Sequence, residues 1–336
     1  MRRTVHASTF DHICCQIGNG AATSTQLRQA EGMESLFDCV VVGAGAAGLS
    51  AALVLGRARQ RTLVIDAGQQ SNLPSHGIGG LLGHDGCPPA EFYAKGREEL
   101  AVYPSVEIRN GEVISGTKLE SGFVLRLADG TDVTAVRVLL ATGMNYELPD
   151  LPGLADRWGG AVFHCPFCHG WEVRNKPLAV LGQGDVAVHQ SLLLKVWSDD
   201  VTLLTNGDPN LTDHEIATLK RAGIGIDQRI ISSLNGPGDT LRSVTFANGD
   251  ERLCEGMLVR VRLRQRSALA SQLGAAALGP GPLMADAIEI DPMHNTIRPG
   301  LSAAGDVSAQ FPTVAGAIAS GSLAAAMMVV SRAMSG

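Results

Sequence analysis

Apolar residues in this chain fall in short unbroken runs, separated by glycine turns and helix-like stretches. The clearest case is "DCVVVGAGAAGLSAALVLGRARQRTLVIDAG" at 38–68. "CVVV" predicts a short buried strand, because a bounded run of four apolar residues has strand length. From about Ala46 to Ala58 the chain is rich in Ala and Leu, which predicts a helix. "TLVID" predicts a second strand, ending at Asp66. "VRVLLATG" at 136–143 predicts another buried strand running into a glycine turn. Residues 176–204 repeat the first pattern: strand, Gly182-x-Gly184-x-x-Ala187, helix, strand. "GLSAAGDVS" at 300–308 reads as a strand entering Gly305–Asp306, and "VAGAIASGSLAAAMMVV" predicts an apolar helix after it. Strands alternating with helices place the chain in the α/β class.

The glycines in the first unit carry a specific chemistry. Gly43, Gly45 and Gly48 follow a strand and open a helix, and an acid, Asp66, stands 23 residues after Gly43. In that context the spacing predicts a dinucleotide-binding turn. The first glycine permits the tight turn, the second lets a pyrophosphate approach the backbone, and the third lets helix pack on strand. The helix N-terminus favours the phosphate charge, and Asp66 is placed to accept ribose hydroxyls. A proline-rich stretch, "LPDLPGL", marks a boundary near residue 152.

Composition narrows the classes. A chain of 336 residues is long enough for about two domains. With 45% hydrophobic and 18% charged residues it can bury a sizeable core. The net charge of −6 and the lack of a basic block argue against nucleic acid as a partner. No unbroken apolar run reaches the ~18 residues of a membrane span, so no membrane partner is expected. Residues 1–32 show no periodicity and no signal-peptide core, and are expected to be a loose leader. A cytoplasmic location is expected. The seven cysteines are odd in number and irregular in spacing, unlike a secreted disulfide framework. Cys39 and Cys254 are expected in the core. Cys14 and Cys15 fall in the leader.

"FHCPFCHGWE" at 163–172 is different. Cys165 and Cys168 have the spacing of a thiol–disulfide couple, and a Cys-x-x-Cys pair at a helix start has a lowered thiol pKa. His164 and His169 flank the pair, and an imidazole can move a proton to or from a thiol. Zinc is the competing reading, but a structural site usually draws ligands from two separated knuckles, and the chain has no second Cys-x-x-Cys. No metal is therefore expected, although packing alone stays open for the histidines.

The order of motifs (GAGAAG, ATG, Cys-x-x-Cys, a second GxGxxA, AAGDV) resembles the low-molecular-weight thioredoxin reductases over residues 34 to 336. The resemblance implies two Rossmann-like dinucleotide-binding domains, the second inserted into the first. An FAD domain would take residues 34–152 and 267–336, and an NAD(P)-type domain carrying the dithiol would take 153–266. It implies FAD contacts from Gly43, Gly45, Ala46 and Ala47, from Asp66, Ala67, Gly68 and Gln69, and from Asn72, His76 and Val113. Further contacts would come from Ala141, Thr142 and Gly143, then Gly305, Asp306 and Ala315. Gly182, Gly184 and Ala187 would form the NADP or NAD turn. It implies that Cys168 faces the flavin while Cys165 exchanges with substrate, and that the chain forms a homodimer.

Two departures point within that family. The second unit continues "LLTNGDPNL", with no Arg or Lys where a 2′-phosphate would need one, and with Asp208 instead. "CPFCHGWE" and "GGLLGHDGCPPAEF" resemble the flavin dithiol oxidases that close disulfides in natural products of the gliotoxin, holomycin and romidepsin type. Such an enzyme passes electrons from a small-molecule dithiol to the protein disulfide, to FAD, and then to oxygen or NAD(P)+. An NAD(P)H-dependent disulfide reductase is the alternative.

Overall fold

The computed structural model describes residues 36–309 and 311–334. The leader with Cys14 and Cys15 lies outside the described residues. The first part of the chain gives β1 (Phe37–Val42), α1 (Ala46–Arg57), β2 (Thr62–Asp66), α2 (Pro89–Leu100) and β3 (Val106–Asn110). It continues through β4 (Val113–Leu119), β5 (Gly122–Leu127), β6 (Asp132–Leu140) and β7 (Met144–Glu147). The middle gives β8 (Val162–Phe163), α3 (Pro166–His169), β9 (Leu178–Leu181), α4 (Gly184–Leu194), β10 (Val201–Leu204), α5 (Asp213–Arg221) and β11 (Gly225–Asp227). Then come β12 (Ile231–Asn235), β13 (Ser243–Phe246), β14 (Glu251–Leu253), β15 (Gly256–Val259) and β16 (Arg262–Gln265). α6 (Leu269–Gln272), β17 (Leu301–Ala303) and α7 (Val314–Met334) follow.

The first sheet has the order β3-β2-β1-β6-β5-β4, with β17 also on β6. β1, β2, β3, β6 and β17 are parallel neighbours, whereas β4 and β5 run antiparallel. β6 divides one edge between two partners: residues 132–135 pair with β5, and residues 138–140 pair with β17. A strand from late in the chain thus completes a sheet begun at residue 37. The second sheet, β11-β10-β9-β15-β8, is wholly parallel and built from residues 162–259. β12, β13 and β14 form a small antiparallel sheet, and β7 with β16 forms a two-stranded ribbon.

Solid apolar runs became strands because these sheets are covered on both faces. Val40, Val41, Leu63 and Val64 are completely buried, and each such side chain contributes about 1.5–3 kcal/mol over its exposed state. α1 packs through Ala47, Ala51, Ala52 and Leu55 against one sheet face, and α7 packs along α1 through Ala324, Ala325 and Met328. Cys39 and Cys254 are buried, and burial pushes both thiols up to about 12.

α7 covers the predicted apolar stretch and runs beyond it to Met334. Ser320, Ser322 and Ser331 interrupt the apolar run but not the helix, which extends over 21 residues. By length and composition it could cross a membrane, and only 22% of its most apolar window is buried. It nevertheless docks on α1, and Val314, Ala315 and Ala317 at its start line the cavity described next.

Candidate active site

The first sheet changes direction between β1 and β6, and ligands of open α/β sheets bind beyond the strand ends at such a point. Gly43 leaves β1 with φ of +105°, beside the Ala141 carbonyl leaving β6. A side chain on Gly43 would run into that oxygen, so the two turns approach closely because position 43 is glycine. Above them opens a cavity of about 560 Å³. Its floor holds Gly43, Gly45, Ala46 and Ala47, with Ala141, Thr142 and Gly143 beside them. Asp66, Ala67, Gln69, Asn72 and Val113 form one side, and Gly305, Asp306 and Ala315 another.

Asp66 is already heavily engaged. Its Oδ1 accepts from the Ala44 and Gly68 N–H groups at 3.4 and 3.1 Å and from Gln70 Nε2 at 3.0 Å, while Oδ2 pairs with Arg97 from α2. The acid therefore organises the glycine turn as well as facing the cavity. Asp306 follows β17 in a turn over the floor. Burial raises its carboxyl to about 6, opposed by Arg266. Arg266 donates to Ser71 Oγ at 2.8 Å and also lines the cavity.

The opposite wall carries the dithiol. α3 begins at Pro166, and proline suits the first helical position. Cys165 sits before it in extended conformation, and Cys168 lies on the turn. Both sulfurs are free thiols, and both residues line the cavity. Their side chains hydrogen-bond to each other. That bond, with backbone N–H groups, brings Cys165 down to about 7 against the opposing effect of burial. The same bond and burial push Cys168 strongly upward. The first proton of the pair is therefore lost from Cys165.

The flanking histidines differ. His164 stacks on Trp158 at 5.6 Å and meets the edge of Tyr146 at 4.9 Å, and burial lowers it to about 4. His169 lies parallel to Phe163, 5.6 Å away at 9°. Its Nε2 is 3.3 Å from Ser75 Oγ, and its buried Nδ1 has no hydrogen-bond partner. Burial lowers His169 too, opposed by Glu172 and by the Cys165 and Gly159 carbonyls.

The third wall is the loop 75–88. Ile78 and Cys87 form an antiparallel bridge, and the Gly80 N–H donates to Asp85 at 2.7 Å. Gly79 lies against the Cys168 carbonyl, and a Cβ there would stand 2.5 Å from that oxygen. His76 pairs with Asp239 on the far side, so its mostly exposed side chain does not line the cavity. Gly68 donates to Asp66 but does not line it either.

Gly182, Gly184 and Ala187 form the β9–α4 turn, away from this cavity. There the chain folds back on itself. The Gly184 N–H donates to the Pro209 carbonyl at 3.0 Å, and Gln183 Nε2 donates to the Thr205 carbonyl at 2.9 Å. Asp185 occupies the first turn of α4.

Ser75, Arg97, Tyr146, Trp158 and Arg266 belong to the site and escape the sequence patterns. Each lies outside the glycine and cysteine motifs and is brought in by long-range packing. Arg266 alone had a signal, standing in the arginine-rich "VRVRLRQRS" at 259–267.

Residues 37–321 match the family described as pyridine nucleotide-disulphide oxidoreductase. A thioredoxin reductase of Treponema pallidum is 34% identical over 313 residues, covering 87% of this chain and 96% of its own. Thioredoxin reductase aclD of Aspergillus oryzae is 31% identical over 305 residues, covering 88% of this chain and 96% of its own. The crystal structure of HlmI superposes with a TM-score of 0.83 at 36% identity, covering 90% of this chain and 95% of that one.

Proposed function

This chain belongs to the pyridine nucleotide-disulphide oxidoreductase family, an FAD-binding family acting on sulfur groups, and from that premise we propose that it is an FAD-dependent dithiol oxidase. Its substrate is a small-molecule dithiol, which leaves as a disulfide. The observation that carries this reading is the arrangement of the two nucleotide turns. The dithiol shares a cavity with the first turn, whereas the backbone donor of the second is taken by Pro209.

The cavity suits FAD. The glycine turn leaves no side chain between backbone and pyrophosphate, Asp66 stands where a ribose would lie, and Asp306 and Arg266 reach the region between floor and dithiol. Held by these residues, FAD would supply the two-electron acceptor for the reduced dithiol, with oxygen or NAD(P)+ as the final acceptor. In the protein, a substrate thiolate attacks Cys165 of the Cys165–Cys168 disulfide and Cys168 leaves as thiolate. The second substrate thiolate attacks the mixed disulfide and releases Cys165. The low pKa of Cys165 makes it a good leaving group in that second exchange. Of the two flanking histidines, His169 is the one that moves protons, and residues 34–152 with 267–336 hold the flavin. A homodimer and a cytoplasmic location belong to the same reading.

A disulfide reductase fed by NAD(P)H is the second reading. The complete β9–α4–β10 unit and the names of the relatives favour it. Anaerobic mixing decides between them, with bleaching of the flavin as the signal. Fast reduction by a small dithiol and slow reduction by NADPH and NADH is the expected result. Fast reduction by either nucleotide overturns it.

A further inference from the structure

We propose that Ser75 and His169 form a proton relay that deprotonates the incoming substrate thiol, with the Ser75 hydroxyl as its cavity-facing end. The proposal rests on the oxidase reading and adds a residue to it.

The two nitrogens of His169 have opposite surroundings. Nδ1 is enclosed and makes no hydrogen bond, so no substrate atom reaches it. Nε2 faces Ser75 Oγ at 3.3 Å, and Ser75 lines the cavity. His169 also lines the cavity, and the Ser75 hydroxyl is the group its Nε2 meets there. The carbonyls of Cys165 and Gly159 face the ring and favour a proton on it. The relay takes the tautomer with that proton on Nδ1, which leaves the Nε2 lone pair for the Ser75 O–H to donate to. The hydroxyl lone pairs then remain open toward the cavity.

Both ends of the relay are held. The His169 ring is fixed against Phe163 at 9° to parallel. The Ser75 N–H donates to the Asn72 carbonyl at 3.0 Å, His76 next to it pairs with Asp239, and Gly79 abuts the Cys168 carbonyl. The loop thus positions its hydroxyl on the same turn that carries the dithiol. Other titratable groups around His169 are Glu172 on its own turn, His76 from the loop, His164 beyond the dithiol, and the two thiols.

The step balances without further reactants. The substrate S–H gives its proton to Ser75 Oγ as the Ser75 O–H proton passes to Nε2. An imidazolium and a substrate thiolate result. The thiolate forms a bond to Cys165 Sγ, the Cys165–Cys168 bond breaks, and its electron pair leaves on Cys168.

The test uses the FAD-loaded enzyme mixed anaerobically with 1,3-propanedithiol across pH 6–10, with flavin bleaching as the signal. S75A should slow reduction roughly 10²-fold near neutral pH, the low end of general-base loss. The deficit should close at high pH, where the dithiol ionises unaided. S75T, which keeps the hydroxyl, should restore most of the rate. In the wild-type protein, nitrogen-15 NMR should find the His169 proton on Nδ1. A wild-type pH–rate profile in S75A overturns the relay, as does a proton on Nε2. If propanedithiol does not reduce the wild-type enzyme at any pH, the oxidase reading itself falls and the relay with it.

Discussion

The Cys165 and Cys168 side chains hydrogen-bond to each other, and the charge of the pair rests on Cys165. The thiolate absorbance of the reduced protein should therefore rise through a midpoint near pH 7. C168A removes the stabilising donor and should move that midpoint toward the ordinary value of roughly 8.5. C165S and C168S should each abolish turnover while retaining flavin, because the pair is proposed for chemistry and not for packing. A C165S or C168S protein that still oxidises dithiols removes the pair from the mechanism.

His164 and His169 should separate in their pH behaviour. Burial lowers both, so each is neutral at a lower pH than free imidazole. At about 4, His164 stays uncharged throughout the neutral range, and H164A should add or remove no inflection there. H169A should slow dithiol oxidation by roughly 10²–10⁴-fold, with part of the loss recovered at higher pH. Equal, pH-independent effects in both variants would assign the two rings to packing.

NADPH should be a poor reductant. The Gly184 N–H that would meet a phosphate is bonded to Pro209, and Asp185 stands in the first turn of α4, where the helix end otherwise favours an anion. Replacing Asp208 and Asp185 by Asn should weaken the charge barrier without freeing the N–H, so NADPH binding should improve only modestly. Titration calorimetry of wild type and D185N/D208N reads this directly. Tight NADPH binding by the wild-type protein would show that the 205–210 loop yields.

Asp306 should exchange stability for binding. Its folded pKa of about 6 lies above the unfolded value. Its contribution to stability is therefore full below about pH 4 and is lost as pH rises through 6. Above that, the ionised group opposes folding. D306N should stabilise the FAD-free protein by about 2 kcal/mol at pH 7.5 and by nearly nothing at pH 4. The same change should loosen the flavin. Urea unfolding at the two pH values, with flavin released in parallel, measures both.

Much of the floor of the site could be read from local patterns. The strand–turn–helix around Gly43, the turn at Ala141–Gly143 and the dithiol all depend on neighbours within a few residues, and they line one cavity. The contacts that join one wall to another depend on distant packing and were not legible. Ser75 reaches His169 across 94 residues, and Arg266 reaches Ser71 across 195. Asp66 shows a mixed case. Its place at the end of β2 was readable, but its pairing with Arg97 was not, because that arginine arrives from the last turn of α2.

The pairing of Val138 with Leu301 has a kinetic consequence. During synthesis, β6 emerges long before β17, and for that interval the upper half of its edge offers unpaired backbone groups. The second parallel sheet can close by itself in that time, since all its strands come from between the two partners. Folding should then proceed in two stages, with a slow late step that scales with the long loop closing residue 301 onto residue 138. Until that step, the turn bearing Asp306 is not over the floor, so flavin added to a nascent chain would find half of its site.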